Sequence, residues 1–446
     1  MHPNHPSPPL GAERPGEVGG SSSSLRSIRL LTFTTLFPDR ERPNHGVFVE
    51  NRLRHLVATG AATSTVLAPV PFFPFASARF GAWGRLARVP RREQRHGLAI
   101  HHPRYPVIPR IGMSVAPLLL YLASRRALRR LLAEGLNFDL IDAHYAYPDG
   151  VAAVWLGRKF GKPVVITARG SDLTELPNYR LPRWFIRRAV ARADGLVGVS
   201  SALRDRLIAL GGDPTRTMTL RNGVDTQAFH PVDREAARAK LGLTGPTLIS
   251  VGLLIERKRH HLTIEAMLEL PEFALIILGE GPERPALEAQ IARLGLAGRV
   301  RLLGAHPHAA LPDFYGAADA MVLASSREGW ANVLLESMAC GTPVIASNIP
   351  GNPEVVREPA AGLVIEENTP AGIAAGVRRL FADPPSRAAT RAYAERFGWE
   401  ETSAGQLTLF RRVLQQGQRA LPPGPPNPAP HTDPRAEPLK SIPSAV

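Results

Sequence analysis

The chain is short of cysteine, of acidic residues and of long apolar runs, and each shortage removes a class of protein. A single cysteine, Cys340, stands among 446 residues. A disulfide framework is therefore excluded, and a thiolate zinc site lacks ligands. The longest apolar stretch, around Ile111 to Ala123, is too short and too interrupted to span a bilayer. Residues 1–25 are rich in Pro, Gly and Ser and lack the apolar core of a secretory signal, so a cytoplasmic location is expected. No Asp-x-Asp segment stands at a strand end and no metal-ligand spacing is found, so no metal or other cofactor is expected. Zinc-finger, RNP-like and helix-turn-helix patterns are also missing, and no nucleic-acid partner is expected.

Acidic residues number 39 against 54 Lys and Arg, for a net charge of +15. The excess is concentrated early: residues 26–225 hold 31 Lys or Arg and 14 Asp or Glu. Such a surplus suits anionic substrates or an anionic membrane surface.

Short β-branched runs alternate with helical patterns, which predicts an α/β fold with parallel sheets. In the first half the strands are expected at Ile28–Leu36, Thr65–Val70, Ala99–Tyr105, Leu140–His144, Val164–Ala168, Gly195–Ser200 and Met218–Leu220. In the second they are Thr247–Leu254, Ala274–Gly279, Val300–Gly304, Ala320–Ala324, Val344–Ser347 and Leu363–Ile365. This reads as two doubly wound domains in tandem, at 26–225 and 226–398. Residues 1–25 and 418–446 read as disordered tails.

Residues 328–336, Glu-Gly-Trp-Ala-Asn-Val-Leu-Leu-Glu, follow an apolar strand and run into Ala-Cys-Gly-Thr-Pro, where Gly and Pro stop a helix. The pattern predicts Glu328 at a helix N-terminus and Glu336 about two turns along, about 12 Å apart on the axis. That is about the reach from sugar to ribose in a nucleotide diphosphate sugar. The free N–H groups of the first turn, Gly329 to Asn332, would attract its diphosphate.

This segment resembles the E-x7-E signature of the retaining glycosyltransferases of family 4, on the GT-B fold of two facing Rossmann-like domains. The resemblance extends over about residues 28–415 with the motifs in the family's order. It implies a C-terminal helix, 399–417, that returns to the first domain. It implies a donor site of Lys258, Gly281, Glu328, Gly329, Asn332, Val333 and Glu336, with Arg257 expected to compensate for Leu253, which stands where the family has arginine. Glu336 would accept from the two ribose hydroxyls, Glu328 would face the hexose, and Lys258 would meet the phosphates. Arg299-Val300 resembles the segment that meets the base. On the acceptor side stand Gly46 in the first loop, His144 at a strand end, and Arg169 and Asp172 in Ala-Arg-Gly-Ser-Asp, where the family has His-Gly-Ser-Asp. Leu253 and Arg259 also depart from the family's Gly-Arg-x4-Lys-Gly motif. Glu328, His144 and Lys258 are the candidate catalytic residues.

The expected reaction is transfer, with retention, of a hexosyl or N-acetylhexosaminyl unit from a nucleotide diphosphate sugar to a glycan or lipid-linked hydroxyl, in cell-surface polysaccharide or glycolipid synthesis. The rivals are a nucleotide-sugar-binding protein without turnover and a GT-B-type epimerase. Arg79, Arg85, Arg88, Arg91, Arg92 and Arg95, interleaved with Phe75, Phe80 and Trp83, suggest docking on the inner face of an anionic membrane. Arg125, Arg126, Arg129 and Arg130 would extend that patch.

Overall fold

The computed structural model describes residues 26–108 and 112–419. The expectations for 1–25 and for the chain beyond Arg419 lie outside the described residues. Two sheets organise the rest. The first has eight strands, in the order Thr217–Thr219, Gly195–Gly198, Val164–Ala168, Leu140–His144, Ile28–Phe33, Ala62–Leu67, Leu98–His101 and Arg92–Arg95. Seven are parallel and the last is antiparallel to its neighbour. The second sheet is wholly parallel, in the order Val300–Gly304, Ala274–Leu278, Thr247–Val251, Ala320–Leu323, Val344–Ser347 and Gly362–Ile365. Helices cover both faces of such sheets, so the central strands are buried along their whole length and mostly apolar. Leu140–His144, Val164–Ala168 and Thr247–Val251 are buried at every position.

The strand Arg92–Arg95, Arg-Glu-Gln-Arg, has no apolar alternation and was not expected. It is an edge, and charge on an edge deters pairing with other chains. Its arginines are also not free: Arg92 pairs with Glu134 at 2.8 Å, Arg95 with Glu50 at 2.8 Å, and Arg88 nearby with Glu41 at 2.8 Å. Phe75, Phe80 and Trp83 gather on Phe73. The basic-aromatic patch expected here is thus partly neutralised and partly packed on itself.

Two chain crossings join the domains. Asn222 to Asp225 leads out of the first, and residues 397–400 lead back. The crossings lie against each other: a side chain on Gly223 would come within 2.6 Å of the Gly398 carbonyl oxygen, and Val224 N–H donates to Phe397 O at 2.8 Å. The helix Glu400–Arg419 then buries Leu407, Leu409, Phe410 and Val413 against Ile28, Leu30, Val165 and Val197 of the first sheet. No helix among the described residues is long and apolar enough to cross a membrane.

Candidate active site

Ligands of open α/β sheets sit beyond the C-terminal strand ends. Here those ends face one another and enclose a cavity of about 390 Å³. Asn44, Phe48 and Asn51 line it from the first domain; Gly252, Leu253, Glu280, His306, His308 and Glu336 line it from the second.

The helix that carries Glu336 spans Asn332–Ala339. It stops because Gly341 takes a left-handed φ of 80° and its N–H returns to Met338 O, a glycine C-terminal turn ahead of Pro343. Glu336 is nearly buried and faces the cavity. Its Oε1 lies 3.1 Å from His308 Nε2, and its Oε2 accepts from the Tyr315 hydroxyl at 3.2 Å. Burial works against a charge on His308, but the hydrogen bond and charge of Glu336, aided by Asp225 and Glu50, hold it above its ordinary value.

Glu328 does not open this helix. It stands four residues before it, in an irregular segment, which corrects the expected placement. The first-turn N–H groups are not all open either: Asn332 N–H donates to Trp330 O and Leu334 N–H to Ala331 O, each at 3.1 Å. The irregular segment lets Glu328 turn toward the basic loop. Lys258 Nζ donates to Glu328 Oε1 at 2.7 Å, Ser325 Oγ donates to the same oxygen at 2.7 Å, and Arg257 Nη1 lies 3.4 Å from Oε2. Burial alone would raise the Glu328 carboxyl, but Lys258 and Arg257 hold it below its ordinary value. Two cations around one carboxylate leave a surplus positive charge beside the cavity, suited to an anion.

Glycines bring these parts together. Gly252 lines the cavity, and a Cβ there would sit 3.1 Å from Lys258 Cε, so the lysine stem lies across bare backbone. Gly279 has a φ of 148°, and its Cβ would fall 1.8 Å from Gly252 O. Gly281 packs under Leu254, whose carbonyl oxygen its Cβ would approach to 2.3 Å. Gly281 therefore shapes the turn, and Gly279 and Glu280 form the wall. Val333 and Asn332 are in the lining as well. Arg299 is not: it precedes its strand, at the end away from the cleft, and its guanidinium binds the carbonyls of Met267, Leu270 and Phe273. Ala305 and His306, past the other end of that strand, take the place expected for Arg299-Val300.

The first-domain face is built differently. Gly46, with a φ of 75°, lies against Leu36, whose carbonyl oxygen a Cβ would approach to 2.4 Å; its neighbours Asn44, Val47 and Phe48 face the cavity. His144 ends its strand but is 1 % exposed. Its Nε2 lies 3.2 Å from Asp142 and its Nδ1 2.7 Å from Arg169 Nη2. Burial, opposed by Asp142 and reinforced by Arg169, pulls its pKa to about 4. Direct contact between His144 and an acceptor is thus not offered by this geometry, because Arg169 lies over it. Arg169 also donates to Asn222 Oδ1 at 3.0 Å and covers the Phe48 ring, its guanidinium carbon 5.3 Å from the centroid. Asp172 is fully buried and accepts from the N–H groups of Ala146, Arg169 and Gly170. It staples the loop and does not reach the acceptor side, a second correction.

Behind Arg169 lies a polar cluster that sequence reasoning missed. Arg52 donates to Gln406 Oε1 at 3.0 Å, to Leu220 O at 3.0 Å and to Asn222 Oδ1 at 3.3 Å. Gln406 in turn donates to Asp142 Oδ2 at 3.3 Å. Asn222 passes the connection across the cleft to Asn332 Oδ1 at 3.1 Å. Glu354 also bridges the domains. It accepts from Ser201 N–H at 3.0 Å, Ala202 N–H at 3.3 Å and Arg221 Nη2 at 2.8 Å. Arg327 meets Glu175 at 2.9 Å, and Gly329 meets Gly170 backbone to backbone. Strand-end position was the available signal for His306 and His308; the cluster's members come from distant segments and leave none.

Among the described residues no three His, Cys, Asp or Glu side chains gather as a metal site would. Two family models match in tandem: "Glycosyltransferase Family 4" over residues 47–228 and "Glycosyl transferases group 1" over 233–397. The D-inositol 3-phosphate glycosyltransferase of Thermobispora bispora is 33% identical over 319 residues, covering 65% of this chain and 74% of that protein. The Rhodococcus jostii protein of the same name is 34% identical over 303 residues, covering 61% and 66%. Among solved structures, sucrose-phosphate synthase from Thermosynechococcus elongatus aligns with a TM-score of 0.73 at 20% identity, covering 88% of this chain and all of that one. Anabaena HepE in complex with UDP and glucose aligns with a TM-score of 0.65 at 20% identity over the same shares. Paired sheets facing a cleft, a motif order that matches throughout and this likeness converge on one conclusion: the chain belongs to glycosyltransferase family 4 and is a glycosyltransferase of GT-B fold.

Proposed function

We propose that the protein moves a sugar, with retention, from a nucleoside diphosphate sugar in this cavity to an acceptor hydroxyl. The observation that carries the reading is a carboxylate in the cavity wall, Glu336, with a second, Glu328, held by Lys258 beside the Gly252 wall. Glu336 has neutral or weakly basic partners, His308 and Tyr315, and keeps oxygen lone pairs for a diol. Glu328 stands among Lys258, Arg257 and Ser325, where a diphosphate would compete for the cations. The anomeric C–O bond to the diphosphate breaks, the acceptor oxygen bonds to that carbon on the same face, and the acceptor proton passes to the departing phosphate. Lys258 and Arg257 stabilise the charge that develops on the leaving group in a cleft short of water. Glu328, released from Lys258, orients the hexose and faces its oxocarbenium-like carbon. The cations of this chain neutralise the diphosphate, so turnover survives EDTA; a strict Mg²⁺ or Mn²⁺ requirement would refute that part.

The relatives' names favour a phosphorylated polyol as one acceptor class. Lipid-linked and glycan hydroxyls are the other class. The test is calorimetry and turnover on two variants. Glu336→Ala should weaken nucleoside diphosphate binding about ten- to a hundredfold, the worth of a lost charged hydrogen bond. Glu328→Gln should leave that affinity nearly intact and cut turnover about a hundredfold. Loss of nucleoside diphosphate binding in a folded Glu328→Gln protein would sink the division of labour. No turnover with any donor, despite tight binding, would favour a binding protein.

A further inference from the structure

Three helices of the first domain, Gly112–Ala133, Val151–Phe160 and Arg180–Arg192, pack side by side. Together they hold ten arginines, one lysine and no aspartate or glutamate. None of these cations is ion-paired among the described residues, unlike Arg88, Arg92 and Arg95. A ladder of rings crosses the face. Tyr121 and Trp155 lie 5.8 Å apart, Trp155 and Phe185 5.8 Å, and Phe185 and Trp184 4.9 Å. Arginines sit on both ends, Arg125 5.5 Å from the Tyr121 ring and Arg188 3.9 Å from that of Trp184.

Solvated charge alone would not explain the rest of the face. Met113, Leu118, Leu122, Leu181 and Trp184 are each more than two-fifths exposed. In the two longer helices the exposed apolar residues come early and most of the cations late. The early ends adjoin the cleft: Tyr147, three residues past His144, donates its hydroxyl to Met113 O, and the Arg180 helix follows the Arg169–Asp172 loop closely. The face is therefore apolar beside the cleft and cationic away from it.

We propose that this three-helix face docks on an anionic bilayer, with its leucines and Trp184 in the headgroup boundary and its arginines on lipid phosphates. Exposed leucine has no role on a nucleic-acid backbone, whereas apolar residues flanked by arginine match an interface in both chemistry and order. The docking surface is thus centred on these helices and not on residues 79–95. It places the mouth of the cleft at the membrane, so that the acceptor of the proposed transfer is met there. For that consequence it rests on the transferase reading, but its test does not.

The full chain is sedimented with vesicles of phosphatidylglycerol and phosphatidylcholine, or of phosphatidylcholine alone. Binding is expected only to the anionic vesicles and is expected to fall as salt rises. Combined Arg125→Glu, Arg188→Glu and Arg192→Glu should reduce partition about a hundredfold, each basic residue being worth about fivefold near an anionic surface. Three reversals on the second domain, Arg293→Glu, Arg378→Glu and Arg379→Glu, should change it little. Leu118→Ser with Trp184→Ser should weaken binding at unchanged charge, and the vesicle-induced blue shift of tryptophan emission should shrink in Trp184→Phe. An unchanged cooperative thermal unfolding transition shows that a variant is folded. No binding to anionic vesicles at low salt, equal loss from the second-domain reversals, or single-stranded RNA bound as tightly as vesicles with no effect of the Leu118 and Trp184 changes would each overturn the proposal. None of these outcomes touches donor binding, which calorimetry with nucleoside diphosphates reads separately.

Discussion

The two faces of the cleft use the same chemistry to opposite ends. On the second domain, Lys258 and Arg257 pair with Glu328 beside the cavity and Glu336 with His308 in its wall, each pair within reach of a ligand that could exchange with it. On the first, Arg52, Asp142, His144 and Arg169 are buried behind the surface and bond to one another and to Asn222 and Gln406. Burial pulls Arg52 down to about 10, against the opposing charge of Asp142. A cation at the surface of a site can trade partners during a reaction. A cation sealed in protein holds elements in place, because every lost partner leaves a buried charge. The difference teaches that charge near a cleft is not by itself catalytic; what matters is whether its partners can be released.

The comparison is broken most directly at Asp142. Asp142→Ala leaves Arg52 buried without a counter-charge, and should cost about 3–5 kcal/mol of stability, read by denaturant unfolding. A small change there, with a large loss of turnover, would move the cluster into the reaction. Lys258→Ala should do the reverse. Turnover should fall by about a thousandfold, as when a preorganised electrostatic donor is removed, with a modest change in melting temperature. If Lys258→Ala instead unfolded the protein, its pairing with Glu328 would be structural.

A smaller effect sharpens the same contrast. His308 titrates above its ordinary value, so the folded state binds the proton more tightly than the unfolded one. Its contribution to stability is complete below the unfolded value, about 6.5, and is lost as pH rises through the folded value. The gap in melting temperature between wild type and His308→Ala should therefore be wider at about pH 6 than at about pH 8.5. A gap that widens toward alkaline pH would reverse the assignment.

Much of the scaffold was legible because strands buried on both faces are written as unbroken apolar runs. Val164–Ala168 and Val344–Ser347 have the bounds their sequences predict, as do Leu140–His144, in spite of Asp142 and His144, and the edge strand Val300–Gly304, in spite of Arg301. Arg92–Arg95 was illegible for the opposite reason: an edge strand need not be apolar. In the site, spacing drew attention to Glu328 and Glu336 but gave the wrong local structure to Glu328. A helix can be counted from its sequence, but a start delayed to Asn332 depends on how Gly329 meets the other domain. The buried cluster had no local pattern at all. Arg52 and Gln406 are 354 residues apart, and only the returning helix makes them neighbours.

That meeting of Gly329 with Gly170 has a mechanical meaning. A Cβ on Gly329 would fall 1.9 Å from Arg169 O, and one on Gly170 would fall 3.2 Å from Gly329 Cα. The chain passes between the domains at the paired crossings 222–225 and 397–400, and away from them this contact is where the two faces come backbone to backbone. Its thickness is that of two peptide backbones, the thinnest a protein can make. The spacing of the two faces is therefore set at this point by atomic radii, and a side chain on either glycine would have to push them apart.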